Sequence, residues 1–272
     1  MTSHQPVRNP TRRSPLFILL FLLFVLLAAD LLLVFLLLRS SPDPVSDELK
    51  SKLSVLRRED SDYEPLAEHP ENYPAELIEL AANNPEALEF VLNYPELHDA
   101  PPADSIEELE AGKIPYLLQW DKRWGYAKYG DHCIAVSGCG PTCLSMVLTY
   151  LSGDNTLTPA VLAQFSQKNG HYVSGSGSSW SLMTDAADEY GVTCEELPLD
   201  EHVIKSRLDE SQPVICVLGP GDFTDSGHFI VLSGYEEDGF QVLDPNSRSL
   251  SEQLWSYEKL SPQIRNLWAF FI

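Results

Sequence analysis

The chain has 272 residues, of which 44% are hydrophobic, with a formal net charge of −22 and an isoelectric point near 4.5. This length can bury one core of ordinary size plus smaller attachments, so we expect a single domain to carry the function. A chain this acidic lacks the basic surface that phosphate backbones require, which argues against a nucleic-acid partner.

The first predicted element is an apolar run over residues 16–38, interrupted only by Asp30 and long enough to cross the hydrocarbon core of a bilayer as a helix. Basic residues precede this run and an acidic region follows it. The positive-inside rule therefore predicts a cytoplasmic N-terminus at residues 1–15 and places the remainder outside the cytoplasm. The basic residues are Arg8, Arg12 and Arg13.

A cleaved signal peptide is the alternative interpretation of this run. Its apolar region usually spans about 7 to 15 residues and ends in a small-x-small cleavage site. Here only Ala28 and Ala29 approximate such a site. We therefore predict an uncleaved, single-pass signal-anchor helix at residues 16–38 that contacts the lipid bilayer.

Three further regions follow the predicted anchor. Residues 39–71 are rich in Ser, Pro, Asp and Glu and are predicted to be an acidic linker, although Leu49, Leu53 and Leu56 share one helical face. Residues 72–112 are predicted to form a small helical hairpin with a connector, because Pro74 and Pro85 suit the first turns of two helices. Residues 113–272 form the predicted main domain.

Within the main domain, helical patterns come first and β-type runs come afterwards. Helices are predicted at residues 141–151, 159–167, 180–190 and 202–210, and strands at residues 214–218, 229–234, 240–243 and 268–272. This order indicates an α+β domain with an N-terminal helical part and a C-terminal antiparallel sheet.

The stretch Ser-Gly-Cys-Gly-Pro-Thr at residues 137–142 places the thiol of Cys139 where a loop becomes a helix. Pro141 suits the first helical position, so Cys139 should lie beside unpaired backbone N–H groups and the positive end of the helix dipole, which favour a thiolate. A thiolate can attack a carbonyl carbon, and the same N–H groups can bind the resulting oxyanion. Cys139 by itself could equally be a packing residue. Cys143, one turn later, is predicted to be a buried packing residue.

A base for this thiol is sought among the seven histidines. His228 stands at the mouth of a strong predicted strand, and Asp244 closes the next strand 16 residues later, where it could orient an imidazole. With Tyr235 opposite Phe240, simple alternation puts His228 and Asp244 on opposite faces of the hairpin. A Cys139, His228 and Asp244 triad therefore predicts an odd loop or a bulge there.

Four pieces in this order resemble family 39 of the cysteine peptidases, a papain-like group that includes bacteriocin-processing peptidases and free-standing bacterial relatives. The pieces are Gln-Trp-Asp-Lys-Arg-Trp at residues 119–124, Ser-Gly-Cys-Gly-Pro-Thr at residues 137–142, Gly-His-Phe-Ile-Val-Leu at residues 227–232 and Asp-Pro-Asn at residues 244–246. They span about residues 113 to 272.

This resemblance implies a papain-like fold and a thiol endopeptidase that needs no cofactor. Cys139 would be the nucleophile, His228 the general base and acid, and Asp244 the residue that orients His228. The family also uses an upstream glutamine in the oxyanion hole. Gln119 is the matching residue, but it stands 20 residues before Cys139, whereas in bacteriocin-processing members the separation is only a few residues. Gln119 can therefore serve only if residues 126–136 fold back.

Two other ligand classes are considered and set aside. The loop Ser-Gly-Ser-Gly-Ser-Ser-Trp at residues 174–180 lacks the Lys-Ser/Thr ending of a phosphate-binding loop, so no nucleotide is predicted, and the loop is either plain or a lip of the substrate cleft. The spacing of His132, Cys133, Cys139 and Cys143 matches no paired C-x-x-C pattern, so no metal is predicted.

The sequence thus predicts a membrane-anchored protein with an extracytoplasmic, papain-like cysteine peptidase domain acting on a peptide or protein substrate. Two alternatives stay open at this point. One is a catalytically silent binding module with the same fold, and the other is an amidase or endopeptidase that acts on peptidoglycan.

Overall fold

A computed structural model describes residues 45–107 and 109–272, together with residues 19, 20, 23, 24, 26, 27 and 30, which are helical. Residues 1–46 form one unit and residues 47–272 a second one. Most of the predicted membrane span at residues 16–38 lies outside the described residues. Among the residues that are described, no helix combines the length and the apolar character that crossing a bilayer demands.

Five short helices make up residues 47–100, which we call the upstream segment. They are α1 (Asp47–Glu59), α2 (Glu64–Glu68), α3 (Ala75–Asn83), α4 (Leu88–Leu92) and α5 (Tyr94–Leu97), with single 3₁₀ turns at Ser61–Tyr63, Pro70–Asn72 and Pro85–Ala87. The predicted hairpin corresponds to α3 and α4, which pack against each other. Pro74 caps α3, and Pro85 opens the 3₁₀ turn before α4.

The sequence predicts an acidic linker at residues 39–71, but from residue 47 onward most of this stretch is helical. Helix α1 fills its centre and buries Leu53, with Leu49 and Leu56 half-buried beside it. The acidic composition favoured an unstructured spacer, but the three leucines on one face bury enough apolar surface for the helix to pack on α3. The stretch is therefore an integral part of the unit that contains the main domain.

The main domain begins with two short strands and a helical layer. Its elements are β1 (Lys128–Tyr129), β2 (His132–Cys133), α6 (Ile134–Ser137), α7 (Cys139–Ser152), α8 (Pro159–Lys168), β3 (Tyr172–Val173), β4 (Gly177–Ser178) and α9 (Ser181–Glu189). The second half contains β5 (Thr193–Glu196), α10 (Glu201–Asp209), β6 (Val214–Leu218), β7 (His228–Glu236), β8 (Gly239–Leu243), α11 (Arg248–Ser251), β9 (Leu254–Trp255), α12 (Tyr257–Leu260), a 3₁₀ turn (Ser261–Gln263) and β10 (Ile264–Phe271).

Six strands form one antiparallel sheet in the order β5-β10-β6-β7-β8-β9. One face packs against α7, α8 and α9, with Val231 and Phe270 from the strands among the buried residues of that core. The other face packs against α10 and α12, with Ile230 and Val242 among the residues of the second core. Strand β6 is buried along its whole length because it lies between the two cores.

The α+β prediction is confirmed, with four helices and four strands where they were expected. Two strands of the six-stranded sheet were missed, as were the four short strands of the two small hairpins. Strand β5 has the sequence Thr-Cys-Glu-Glu and is mostly exposed, so it shows no apolar alternation, and β9 has only two residues. The last strand begins at Ile264 instead of Trp268, because Arg265 and Asn266 interrupt the apolar pattern at its start. The pairing of this strand with β6 shifts register between Ile264 and Asn266.

Candidate active site

Helix α7 begins at Cys139, which is two residues before the helix start that the sequence predicted. The N–H groups of Cys139 and Gly140 lie before the first intrahelical bond, which Thr142 makes to the carbonyl of Gly138 at 2.9 Å. A side chain at position 140 would not fit, because a Cβ there would lie 2.8 Å from the hydroxyl oxygen of Ser178. Glycine therefore lets strand β4 approach the start of this helix closely.

The other four cysteines differ from Cys139 in their surroundings. Cys143 and Cys216 are fully buried, and burial raises the pKa of both thiols. Burial also raises the pKa of Cys133 to about 11 and that of Cys194 to about 12. All five thiols are free, and the described residues contain no group of His, Cys, Asp and Glu able to hold a metal ion. The prediction that Cys143 packs in the core is confirmed.

The hairpin of β7 and β8 contains the irregularity that the triad requires. Tyr235 pairs with Phe240 as predicted, but the register shifts between Leu232 and Gly234, which leaves Ser233 as an extra residue in β7. Beyond this bulge, Leu232 pairs with Val242. The shift by one residue puts His228 and Asp244 on the same face, where regular pairing would have placed them on opposite faces.

His228 and Asp244 form a buried ion pair at the end of the sheet. The ring nitrogen Nε2 of His228 lies 2.7 Å from Oδ1 of Asp244, and the two residues are 7% and 1% exposed. Burial alone would lower the pKa of His228. The Asp244 carboxylate and the nearby Cys139 side chain outweigh burial and raise that pKa to about 10.

These contacts bring the three predicted residues together. Because Asp244 occupies Nε2 of His228, the other ring nitrogen, Nδ1, is left for the sulfur of Cys139. A carboxylate that fixes an imidazole near a thiol at a helix start is an arrangement able to form a thiolate and to move a proton.

The loop after β8, residues 244–249, holds Asp244 in place through contacts that the sequence did not predict. Oδ1 of Asp244 also accepts the N–H of Asn246 at 2.7 Å, and the Asp244 N–H donates to the hydroxyl of Ser251 at 2.9 Å. Tyr116 donates its hydroxyl to the Asp244 carbonyl at 2.9 Å, and Trp120 donates its indole N–H to the Asn246 carbonyl at 2.8 Å. No local sequence signal marks Tyr116, since its partner Asp244 is 128 positions away along the chain.

Gln119 lies between this loop and the helix that leads to Cys139. Its backbone N–H donates to Pro245, and its side-chain Nε2 donates to the carbonyl of Ala135, both at 2.7 Å. Residues 126–136 fold back, as a role for Gln119 requires, because β1 and β2 form a hairpin and Ala135 bonds the carbonyl of Gly125. The side chain is buried, and its Oε1 has no hydrogen-bond partner among the described residues.

Cys139 opens into a cleft of about 430 Å³. Gly175, Ser176 and Gly177 contribute to the wall, so this part of the stretch at residues 174–180 forms a lip of the cleft. The lining residues are His132, Val136, Ser137, Cys139, Tyr172, Gly175, Ser176, Gly177, Ser226 and Gly227.

A second groove of about 620 Å³ shares Val136 and Ser226 with this cleft. Helix α3 of the upstream segment forms one side of this groove, and residues 221–226 form the other. Four acidic residues line it, whereas no lysine or arginine is among the described residues that line either cavity. The four are Glu76, Glu79, Asp222 and Asp225.

Comparisons with known proteins agree with this arrangement. Residues 112–269 match the profile of the Peptidase_C39 like family. Two solved structures are similar to part of this chain. The peptidase domain of Streptococcus ComA, a bifunctional ABC transporter involved in quorum sensing, is 21% identical over 50% of this chain and 90% of that domain, with a TM-score of 0.40. A C39-like peptidase from Bacillus anthracis is 17% identical over 60% of this chain and 98% of its own length, with a TM-score of 0.36.

A search of the curated proteins finds no significant match. The family match covers more than half of the chain and includes all four motifs, together with Cys139, His228 and Asp244. The chain belongs to the Peptidase_C39 like family.

Proposed function

We propose that this chain is a membrane-anchored cysteine endopeptidase that hydrolyses peptide bonds outside the cytoplasm through a thiol acyl-enzyme. The observation that supports this function best is the hydrogen-bonded pair of His228 and Asp244 beside Cys139, which lines an open cleft. Cys139 is the nucleophile, His228 the general base and acid, and Asp244 the residue that orients the imidazole.

The reaction begins with the Cys139 sulfur as a thiolate beside the His228 imidazolium, whose Nδ1 holds the proton. The thiolate attacks the scissile carbonyl carbon. The resulting oxyanion is bound by backbone N–H groups at the start of α7, and we assign to Gln119 a second donor, because only one of its two amide protons is used by Ala135. The imidazolium then protonates the departing amine, which leaves a thioester on Cys139. His228 next removes a proton from water, and the hydroxide hydrolyses the thioester and frees the thiol.

Membrane anchoring forms part of the same proposal and is supported by the sequence alone. The apolar run at residues 16–38 follows three arginines, so the helix would enter with its N-terminus in the cytoplasm and carry residues 47–272 on the other side. Proteinase K added to intact spheroplasts should then digest these residues. Protection of this part until the membrane is lysed would contradict the orientation.

The catalytic proposal is tested with iodoacetamide at pH 6 on the full chain in detergent micelles. One thiol should react rapidly, and Cys139→Ala should abolish this reaction, since burial raises the pKa of the four other thiols. The same preparation should hydrolyse dye-quenched casein. Equal labelling of all five cysteines, or wild-type turnover in Cys139→Ala, would contradict the proposal. Rapid labelling with no hydrolysis of casein would favour a silent module, unless purified peptidoglycan is digested.

A further inference from the structure

We propose that the upstream segment, although it lies outside the family match, is part of the active site, because Asn84 and Glu86 are positioning residues that fix the loop carrying Asp244. This inference rests on the proposed function in taking Asp244 as the partner of a catalytic His228. It concerns the turn between α3 and α4, which the sequence predicted only as a helical hairpin.

The carboxylate of Glu86 accepts three hydrogen bonds from one short stretch of the loop. Its Oε1 accepts the hydroxyl of Ser247 at 3.0 Å and the N–H of Ser249 at 3.1 Å, and its Oε2 accepts the N–H of Arg248 at 2.8 Å. Burial alone would raise the pKa of Glu86, but these bonds lower it. The carboxylate is thus charged at neutral pH and fixes the start of α11.

Asn84 reaches the same loop closer to the catalytic pair. Its Nδ2 donates to the carbonyl of Asn246 at 2.7 Å, and Trp120 donates to the same carbonyl. The N–H of Asn246 in turn donates to the Asp244 oxygen that bonds His228. One residue of the loop therefore separates Asn84 from the carboxylate that orients the imidazole.

The upstream segment also packs against the main domain at a second place, through Phe90 and Tyr126. The rings of Phe90 and Tyr126 stack with their centroids 4.2 Å apart, and the Tyr126 hydroxyl donates to the Phe90 carbonyl at 2.6 Å. Gly125 allows this contact, since a Cβ at that position would lie 2.6 Å from the Phe90 ring. A substitution in the turn between α3 and α4 can therefore move the loop without releasing the whole segment.

A purely structural role and a positioning role make different predictions for His228. If the turn only adds stability, its loss lowers the melting temperature and leaves the folded site unchanged. If it positions the loop, its loss lets the Asp244 carboxylate move away from the imidazole. The pKa of His228, which that carboxylate raises to about 10, then falls toward its ordinary value.

The experiment uses the full chain in detergent micelles with two variants and a control. Glu86→Gln removes the charge and one acceptor for the loop N–H groups. Asn84→Asp keeps the oxygen that caps the turn at the Glu86 N–H but removes the donor to Asn246. Glu96→Gln is the control, because it removes an exposed carboxylate of the same segment away from this loop.

Three quantities are measured for each protein. They are the His228 pKa by NMR titration of ring-labelled histidine, assigned with His228→Gln, the kcat and KM for dye-quenched casein, and the melting temperature. Both positioning variants should lower the His228 pKa by about one unit. They should also lower kcat by about tenfold to a hundredfold with KM unchanged, since small displacements of a catalytic group have effects of that size. Glu96→Gln should match the wild type in all three.

An unchanged His228 pKa and kcat in both variants, with only the melting temperature lowered, would overturn the positioning role. Should Glu86→Gln fail to fold, Asn84→Asp decides the question, since it preserves the capped turn. A wild-type chain that does not hydrolyse casein, but whose His228 pKa still falls in the variants, would contradict the proposed function and support the positioning role.

Discussion

The two sides of the candidate site are built in different ways. Around Cys139, the determining residues are neighbours in the sequence, with Gly138, Gly140 and Pro141 setting the start of α7. Around Asp244, they come from far along the chain, since Tyr116 and Trp120 bond the loop across 128 and 126 positions. The contact from Asn84 spans 162 positions.

This difference shows which half of the site depends on the rest of the molecule. A helix that starts at Cys139 with free N–H groups needs little beyond its own first turn. The orientation of the imidazole depends on a bulge, a hydrogen-bonded loop and a remote helical turn. We therefore expect distant substitutions to impair His228 and Asp244 before they affect Cys139.

Removal of the thiol should have the largest effect on turnover. Cys139→Ala should lower kcat for casein by about 10⁶-fold, the scale seen when a catalytic nucleophile is lost, without a change in melting temperature. The paired variant Cys143→Ala should keep wild-type kcat and lower the free energy of unfolding by about 1 kcal/mol, because it leaves a small cavity in the core. Inactivity of Cys143→Ala together with activity of Cys139→Ala would reverse the assignment.

Deletion of Ser233 should separate His228 from Asp244 and leave the helix start at Cys139 unchanged. Without the bulge, regular pairing would put His228 and Asp244 on opposite faces and exchange the residues that β7 presents to the two cores. We expect a loss of at least about 10⁴-fold in kcat and a marked fall in melting temperature. Ser233→Ala keeps the extra residue and should stay within about 0.5 kcal/mol of wild-type stability. Wild-type turnover in the deletion variant would show that the bulge does not align the pair.

Asp244→Asn should test how the charge of Asp244 affects the pKa of His228 and the turnover rate. An amide cannot stabilise the imidazolium as a carboxylate does, so kcat should fall by about 10³-fold or more. The wild-type pKa of His228 is raised to about 10 by this carboxylate, and its removal lowers that pKa. The alkaline limb of kcat/KM should therefore move to lower pH, as a pH–rate profile from pH 5 to pH 10.5 would show. An alkaline limb at the wild-type position would exclude Asp244 as the source of the raised pKa.

The negative charge of the groove next to the cleft should have the smallest effect on kcat/KM. Acidic residues line this groove on both sides, so peptides with lysine near the scissile bond should be cleaved several-fold faster than matched peptides with glutamate. The preference should weaken at high salt and in the double variant Glu76→Gln, Glu79→Gln, as measured by kcat/KM for the two peptides. Equal rates for both peptides would mean that the groove does not select substrates by charge.

Sequence reasoning succeeded where the determining interactions are local or periodic. The helices, the central strands and the position of Cys139 followed from apolar spacing and from the proline at position 141. The bulge was predicted only as a condition that the pairing of His228 with Asp244 imposes on the hairpin, and the sequence did not mark Ser233 as the extra residue. Glu86 and Tyr116 gave no signal, because a hydrogen bond across more than a hundred positions leaves no trace in spacing or composition.

The stacked rings of Phe90 and Tyr126 have a practical consequence for anyone who wishes to transplant the enzyme. The family match begins at residue 112 and invites excision there, yet such a cut would discard Phe90 and leave one face of the Tyr126 ring in water. The excised piece would also lose the carboxylate that grips Ser247 and its neighbours. A protein shortened in this way would retain Cys139 but should have reduced activity. The smallest fragment that retains these contacts therefore begins near residue 47.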